Sequence, residues 1–229
     1  MILWGSLPPL ILSAKAILRD LCRKGLNWDD RIPHEDLVRW QDWLKELSKL
    51  EQFAVERCLK PTNFGLIVSS QLHSFSDASG EGYGVVSYLR VVNEAKDVHC
   101  AFLIGTSRQT PQKSITIPRL ELSAAVVATR LNRMMQNELD VTVDREFFWT
   151  DSTCVLSYIV NKDKRFQTFV ANRITTTHEG SRQDQWYYVD TCSNLLTTRL
   201  GDSPLKRVYP QKPLDRWPFL SLGSRGLLA

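Results

Sequence analysis

Three strand-like segments follow one another before any long helix intervenes, and this order restricts the fold more than any other feature of the chain. Segments 72–77, 83–91 and 98–104 lead the series, and the last two are rich in aromatic and β-branched residues, which suit a pleated, half-buried surface. Asn93-Glu94-Ala95-Lys96-Asp97 reads as a hairpin loop between them. Strands joined this tightly predict an antiparallel meander. Pro118 then suits the first turn of a long helix. Along it Leu120, Ala124, Val127, Leu131, Met134 and Met135 form a continuous apolar stripe. Segment 146–150 reads as a buried strand, 152–160 and 166–176 as helices, and 186–189 as a last strand. The order β-β-β-α-β-α-β predicts an α/β domain with a mixed sheet.

The first 65 residues have a different texture. Leu12, Ala16, Leu18, Leu21 and Cys22 mark one side of a helix over 11–25, with Gly25 as its stop. A second helix is predicted over 34–50, with Leu37, Trp40, Leu44 and Leu47 opposite Asp36, Arg39, Asp42, Lys45 and Glu46. Trp40 and Trp43 are expected to pack on the neighbouring helix. Asp29-Asp30, the only adjacent acidic pair of its kind, reads as a solvated loop and not a polymerase site. Pro61-Thr62-Asn63-Phe64-Gly65 breaks the helical pattern. The expected division is a helical segment over 1–65, an α/β domain over 66–194 and an irregular tail over 195–229.

Composition narrows the class further. At 229 residues, 43% hydrophobic and 24% charged, the chain has the balance of a globular protein, which excludes wholesale disorder, collagen-like structure and coiled-coil rods. The five cysteines are dispersed without a Cys-x-x-Cys pair, so reduced thiols are expected. No apolar run is long enough to span a bilayer. The apolar N-terminus imitates a signal peptide, but it lacks a basic start and Pro8-Pro9 interrupts it. An intracellular chain, in cytoplasm or nucleus, is the expectation. His73, His99 and His178 are isolated and read as ordinary residues.

Three carboxylates occupy unusual places. Asp77 ends the first strand, Glu121 lies in the first turns of the long helix between Leu120 and Leu122, and Asp151 ends the strand over 146–150. Carboxyl ends of strands are where open α/β sheets place their sites. Singly, each acid could be a cap or a helix-dipole partner. Together they would make an all-oxygen site suited to a hard divalent cation such as Mg²⁺. Two metals shared by carboxylates can activate water against a phosphodiester.

Four blocks carry a resemblance. Asp77-Ala78-Ser79, Ile117-Pro118-Arg119-Leu120-Glu121-Leu122, Trp149-Thr150-Asp151-Ser152 and Thr168-Phe169-Val170-Ala171-Asn172-Arg173 resemble the ribonuclease H region of BEL/Pao-type retrotransposon polyproteins over roughly residues 10–194. The resemblance implies a ribonuclease H-like mixed sheet preceded by the tail of a reverse transcriptase, its connection segment. It implies Asp77, Glu121 and Asp151 as catalytic metal ligands for two Mg²⁺ or Mn²⁺ ions, with an RNA–DNA hybrid as partner and no small-molecule cofactor. Ser79, Ser152, Asn172 and Arg173 become candidates for nucleic-acid contact, with core support as the alternative role. Such regions are often named peptidases, but no Asp-Thr-Gly or Asp-Ser-Gly motif occurs here.

The chain departs from that pattern at both ends. A fourth acid is expected in a stretch like Asn-Pro-Ala-Asp-Asp-Ala-Ser-Arg-Gly, where this chain has Asn194-Leu195-Leu196-Thr197-Thr198-Arg199-Leu200-Gly201-Asp202. Loss of one base after the Asn codon would turn CCT-GCT-GAC-GAC-GCG-TCT-AGG-GGA into codons for Leu-Leu-Thr-Thr-Arg-Leu-Gly, the residues at 195–201. Met1-Ile2-Leu3-Trp4-Gly5 reads likewise as an out-of-frame copy of Tyr-Asp-Pro-Leu-Gly. One of the two metal positions would then be weakened, with cleavage reduced or lost and Asp190 or Asp202 as the nearby acids. The net charge of +4 resides wholly from Leu195 onward, where six Lys or Arg face two Asp. The basic balance is therefore no argument for a polyanion partner.

Overall fold

The computed structural model describes residues 8–48, 58–111, 113, 115–161 and 165–190. The expected out-of-frame stretches, Met1–Gly5 and 195–229, lie outside these described residues, as does Asn194. Helix α1 (Pro8–Arg23) ends before Gly25, whose φ of 73° is the left-handed conformation that glycine adopts without a Cβ clash. Helix α2 (His34–Ser48) follows. Asp29 and Asp30 are exposed in the turn between them, as the sequence suggests.

Helix α2 differs from expectation in which face it buries. Leu37, Leu44 and Leu47 are 38%, 44% and 37% exposed, whereas Asp36 is 1% exposed. Cations from the turn after α1 and from α2 make this possible: Lys24 Nζ lies 2.6 Å and Arg39 Nη1 3.2 Å from the Asp36 carboxylate. The Lys24 ammonium holds the Asp36 carboxyl below the usual range for an aspartate. Trp40 and Trp43 stack on each other, with ring centroids 4.7 Å apart. On α1 the buried apolar residue is Ile17, while Leu18 is 46% exposed.

Five strands make one mixed sheet in the order β3-β2-β1-β4-β5. Strands β1 (Ile67–Ala78), β2 (Gly82–Asn93) and β3 (Val98–Gln109) form the expected meander. The Asn93 amide closes its second turn by accepting from the Asp97 N–H and donating to the Asp97 carboxylate. Helix α3 (Ile117–Glu138) then leads to β4 (Arg145–Thr150), which pairs parallel with β1. Helices α4 (Thr153–Val160) and α5 (Thr168–Gly180) precede β5 (Trp186–Tyr188), parallel to β4.

Strand β1 starts five residues earlier than its apolar pattern indicates. Ser69, Ser70 and Gln71 carry no strand signal of their own. Neighbours on either side supply it: Ser69, Ser70 and Gln71 pair with Val92, Val91 and Arg90 of β2, Gln71 pairs with Arg145 of β4, and Ser70 donates its hydroxyl to the Thr142 carbonyl. Such pairings allow polar side chains to be buried in a central strand.

The two faces of the sheet bury different residues. Val85, Phe148 and Trp186 meet Leu122, Ala125, Ala128, Val155, Ile159, Val170 and Ile174 of the helices. A second cluster holds Phe75, Val86, Tyr88, Trp149 and Val189, with Phe102, Phe147 and Tyr187 beside it. At Gly84 a Cβ would lie 2.6 Å from the Thr106 carbonyl oxygen, so β2 and β3 approach at a distance only glycine permits. The result is the expected α/β mixed sheet, with one difference in element order: two helices, α4 and α5, separate β4 from β5 where the string β-β-β-α-β-α-β carries one. Among the described residues, no helix is long and apolar enough to cross a membrane.

Candidate active site

The parallel register of β1 and β4 sets the edge on which the acids gather. Its last pair is Ser76 with Thr150, and one residue further along each strand stand Asp77 and Asp151. Adjacent strands lie about 4.8 Å apart, so these two acids leave the sheet side by side at its carboxyl edge. Both are partly buried. Asp77 Oδ1 accepts from the Ala78 N–H at 2.6 Å. Asp151 does not cap α4, because the N-cap is Ser152, whose hydroxyl accepts from the Val155 N–H at 3.2 Å.

Glu121 reaches the same edge from α3. Thr116 precedes the helix and Pro118 occupies its first turn, so Glu121 lies little more than one turn in. Its neighbours Leu120 and Leu122 are buried at 1% and 0% exposure. The carboxylate is held by Ser152, which donates its hydroxyl to Glu121 Oε2 at 2.6 Å. That one hydroxyl therefore accepts from α4 and donates to α3, tying both helices to the end of β4. Ser152→Ala is expected to lower stability by about 1 kcal/mol, the usual loss for an N-cap, as a shift in the urea midpoint without a change in slope.

The remaining candidates divide by element. Ser79 sits exposed in the β1–β2 turn, its N–H donating to the Gly82 carbonyl at 2.7 Å. Ser152 is 5% exposed, with its hydroxyl engaged by Glu121 and Val155. Asn172 is exposed on α5. Arg173 turns inward: its Nε donates to Ser123 Oγ at 2.9 Å, its Nη1 to the Phe169 carbonyl at 3.1 Å, and its guanidinium lies 3.4 Å from the Phe169 ring centroid. Those contacts link α3 and α5. Arg119, a residue the sequence did not single out, bonds Gln167 at 2.7 Å and lies over the same ring at 5.3 Å. Both contacts lie about fifty positions along the chain, so no local spacing signals them.

Asp190, a nearby acid that does not match the expected fourth-acid position, follows β5 at the same edge. Val189 N–H donates to the Thr150 carbonyl at 3.0 Å, and Asp190 is exposed just beyond. Asp202 lies outside the described residues. His73 is no acid–base group: burial, reinforced by the charge of Arg90, lowers its pKa from 6.5 to about 3.

The donor chemistry of Asp77, Glu121 and Asp151 fits a hard divalent cation, since every ligand is a carboxylate oxygen and each carboxylate has several lone pairs. Among the described residues, however, no three His, Cys, Asp or Glu side chains stand together as a ready metal-binding group. Glu121 is drawn toward Ser152, and Asp77 toward its own following amide.

Comparison with known proteins adds the family. Among solved structures, RNase H1 from the halophilic archaeon Halobacterium salinarum NRC-1 is 12% identical, covering 55% of this chain and 89% of its own, with a TM-score of 0.35. The N-terminal RNase H domain of Rv2228c from Mycobacterium tuberculosis is 12% identical over 61% and 96%, with a TM-score of 0.38. LC11-RNase H1, solved in complex with an RNA/DNA hybrid, is 15% identical over 53% and 84%, with a TM-score of 0.31. No curated protein matches the chain. A family profile described as Pao retrotransposon-like RNaseH-like domain matches residues 4–152, from α1 to the end of β4 and through Asp77, Glu121 and Asp151. The chain belongs to the Pao retrotransposon-like RNase H-like domain family.

Proposed function

We propose that this chain is a fragment of a BEL/Pao-type retrotransposon polyprotein, the end of a reverse transcriptase joined to a ribonuclease H-like domain. Asp77, Glu121 and Asp151 serve as ligands for Mg²⁺ or Mn²⁺, and the reaction is hydrolysis of the RNA strand of an RNA–DNA hybrid. The observation that carries this reading is the emergence of Asp77 and Asp151 on neighbouring parallel strands, with Glu121 brought to the same edge through Ser152. When bound, the metal ions supply an activated water and stabilise the leaving oxygen. The protein's own part is positional: β1 and β4 fix two carboxylates by their ladder, and Ser152 sets the third. Ser79, exposed beside Asp77, is the contact to the nucleic-acid backbone.

A second reading, a binding module that has lost cleavage, is favoured by one observation: the stretch expected to supply the fourth acid reads Leu195-Leu196-Thr197-Thr198. One assay separates the two. The purified full chain is incubated with a hybrid labelled in its RNA strand, in Mg²⁺ and in Mn²⁺. Cleavage that Asp77→Asn abolishes is expected under the first reading. Binding without cleavage, weakening steeply as salt is raised, would replace it with the second.

A further inference from the structure

The β1–β2 turn, which carries Ser79 away from Asp77, is not held by the sheet alone. Helix α1, more than sixty residues earlier in the chain, grips it at two points. Arg19 Nη2 donates to Glu81 Oε2 at 2.6 Å, and Arg19 Nη1 donates to Thr110 Oγ1 at 3.4 Å. Thr110 in turn donates its hydroxyl to the Gly80 carbonyl at 2.8 Å and its N–H to the Glu81 carbonyl at 3.1 Å. The Arg19 side chain is only 10% exposed although it carries a charge, so its burial depends on these acceptors. The second point is steric. A Cβ on Gly82 would lie 2.9 Å from Leu12 Cδ1 and 2.8 Å from the Arg108 carbonyl oxygen, so α1 sits directly on the first residue of β2.

We propose that α1 is a positioning element of the candidate active site, with Arg19 fixing the turn 79–82 through Glu81 and Thr110. This inference rests on the proposed hybrid-cleaving function and deepens it, since it assigns the helical segment a task within the same site. Asp77 itself does not need α1: it is paired with Gly84 within the β1–β2 ladder. Ser79 and Gly80 lie beyond β1, where the turn's own bonds, Thr110 after β3 and the α1 contacts orient them. Loss of Arg19 should therefore weaken the hold on hybrid more than the chemical step. Arg19 is a positioning residue, not a catalytic one.

The experiment uses the full chain and four proteins: native, Arg19→Ala, the reversal Arg19→Glu with Glu81→Arg, and Lys45→Ala as a control on an exposed pair of α2. Two readouts are taken, steady-state cleavage of an RNA–DNA hybrid in Mn²⁺ and amide hydrogen exchange. With Arg19→Ala, KM for the hybrid is expected to rise about threefold to tenfold with kcat within twofold, the scale of one charge-assisted hydrogen bond. Exchange of the 79–82 amides should rise by about tenfold while α3 amides hold steady, as local opening without global unfolding. The reversal should restore both, and Lys45→Ala should change neither.

Turn exchange and KM both within twofold of native would overturn the proposal, and so would faster exchange shared equally by α3. A native protein that leaves the hybrid intact sinks the proposed cleavage function, and the exchange pattern then decides the positioning role alone.

Discussion

Asp151→Asn is expected to abolish hybrid cleavage, by about 100-fold or more, and to leave the fold as stable as before or about 0.5–1 kcal/mol more stable. The loss follows from the removal of a ligand charge in a site made only of carboxylates, where metal affinity depends on charge count. The gain follows from the register. Asp77 and Asp151 stand one residue past the Ser76–Thr150 pair, so two negative groups leave adjacent strands together, and neutralising one relieves their repulsion. Sites of this kind trade stability for function.

The same substitution discriminates against a purely architectural role for Asp151. Ser152 and not Asp151 is the N-cap of α4, so asparagine, itself a good cap, would have no capping deficit to correct. Paired measurements of urea midpoint and hybrid cleavage check the two halves together. A clear fall in stability with cleavage intact would show that Asp151 supports the fold and does not bind metal.

Much of the fold was legible because the strongest sequence signals were local ones. The aromatic and β-branched runs of β2 and β3, the Asn93–Asp97 turn, and Pro118 ahead of a long stripe all report structure decided within a few residues. Where the reading failed, distant residues decided. Strand β1 extends to Ile67 because its first residues pair with the end of β2 and the Ser70 hydroxyl bonds the distant Thr142 carbonyl. On α2 the periodicity of Leu37, Leu44 and Leu47 was real, but the structure buries Asp36 between Lys24 and Arg39 instead. A hydrophobic stripe shows that a helix is amphipathic, not which face is covered.

The candidate site was legible in part for the same reason. Asp77 and Asp151 announce themselves as acids closing apolar strands, and parallel pairing makes them neighbours. The hydrogen bond from Ser152 to Glu121 spans 31 positions, and the Arg19–Glu81 contact spans 62. Neither spacing has a local signature, so the contact of α1 with the β1–β2 turn has no counterpart in the sequence pattern.

Between pH 6.5 and 3 the protein is expected to lose several kcal/mol of stability on account of His73, at about 1.36 kcal/mol per pH unit. His73 is 2% exposed and stacks on Phe147 with ring centroids 4.7 Å apart. Trp149 Nε1 donates to His73 Nδ1 at 3.1 Å, which leaves Nε2 to donate to Gln71 Oε1 at 3.3 Å. Arg90 Nη1 donates to that same Gln71 oxygen. A proton on Nδ1 would break the Trp149 bond and place a second charge beside Arg90 in a dry environment. The folded-state pKa of about 3 lies below the unfolded value near 6.5, so within that window the unfolded chain binds the extra proton. Stability is complete above pH 6.5 and falls as the pH drops, levelling below 3. His73→Gln keeps an acceptor for Trp149 and has no proton to take up, so the difference in urea midpoints between native and variant should shrink or reverse from pH 7 to pH 4. A difference that stays constant across that range would mean that His73 does not titrate in the unfolded chain alone, and that its neutral, tryptophan-bonded form is not what holds this face of the sheet.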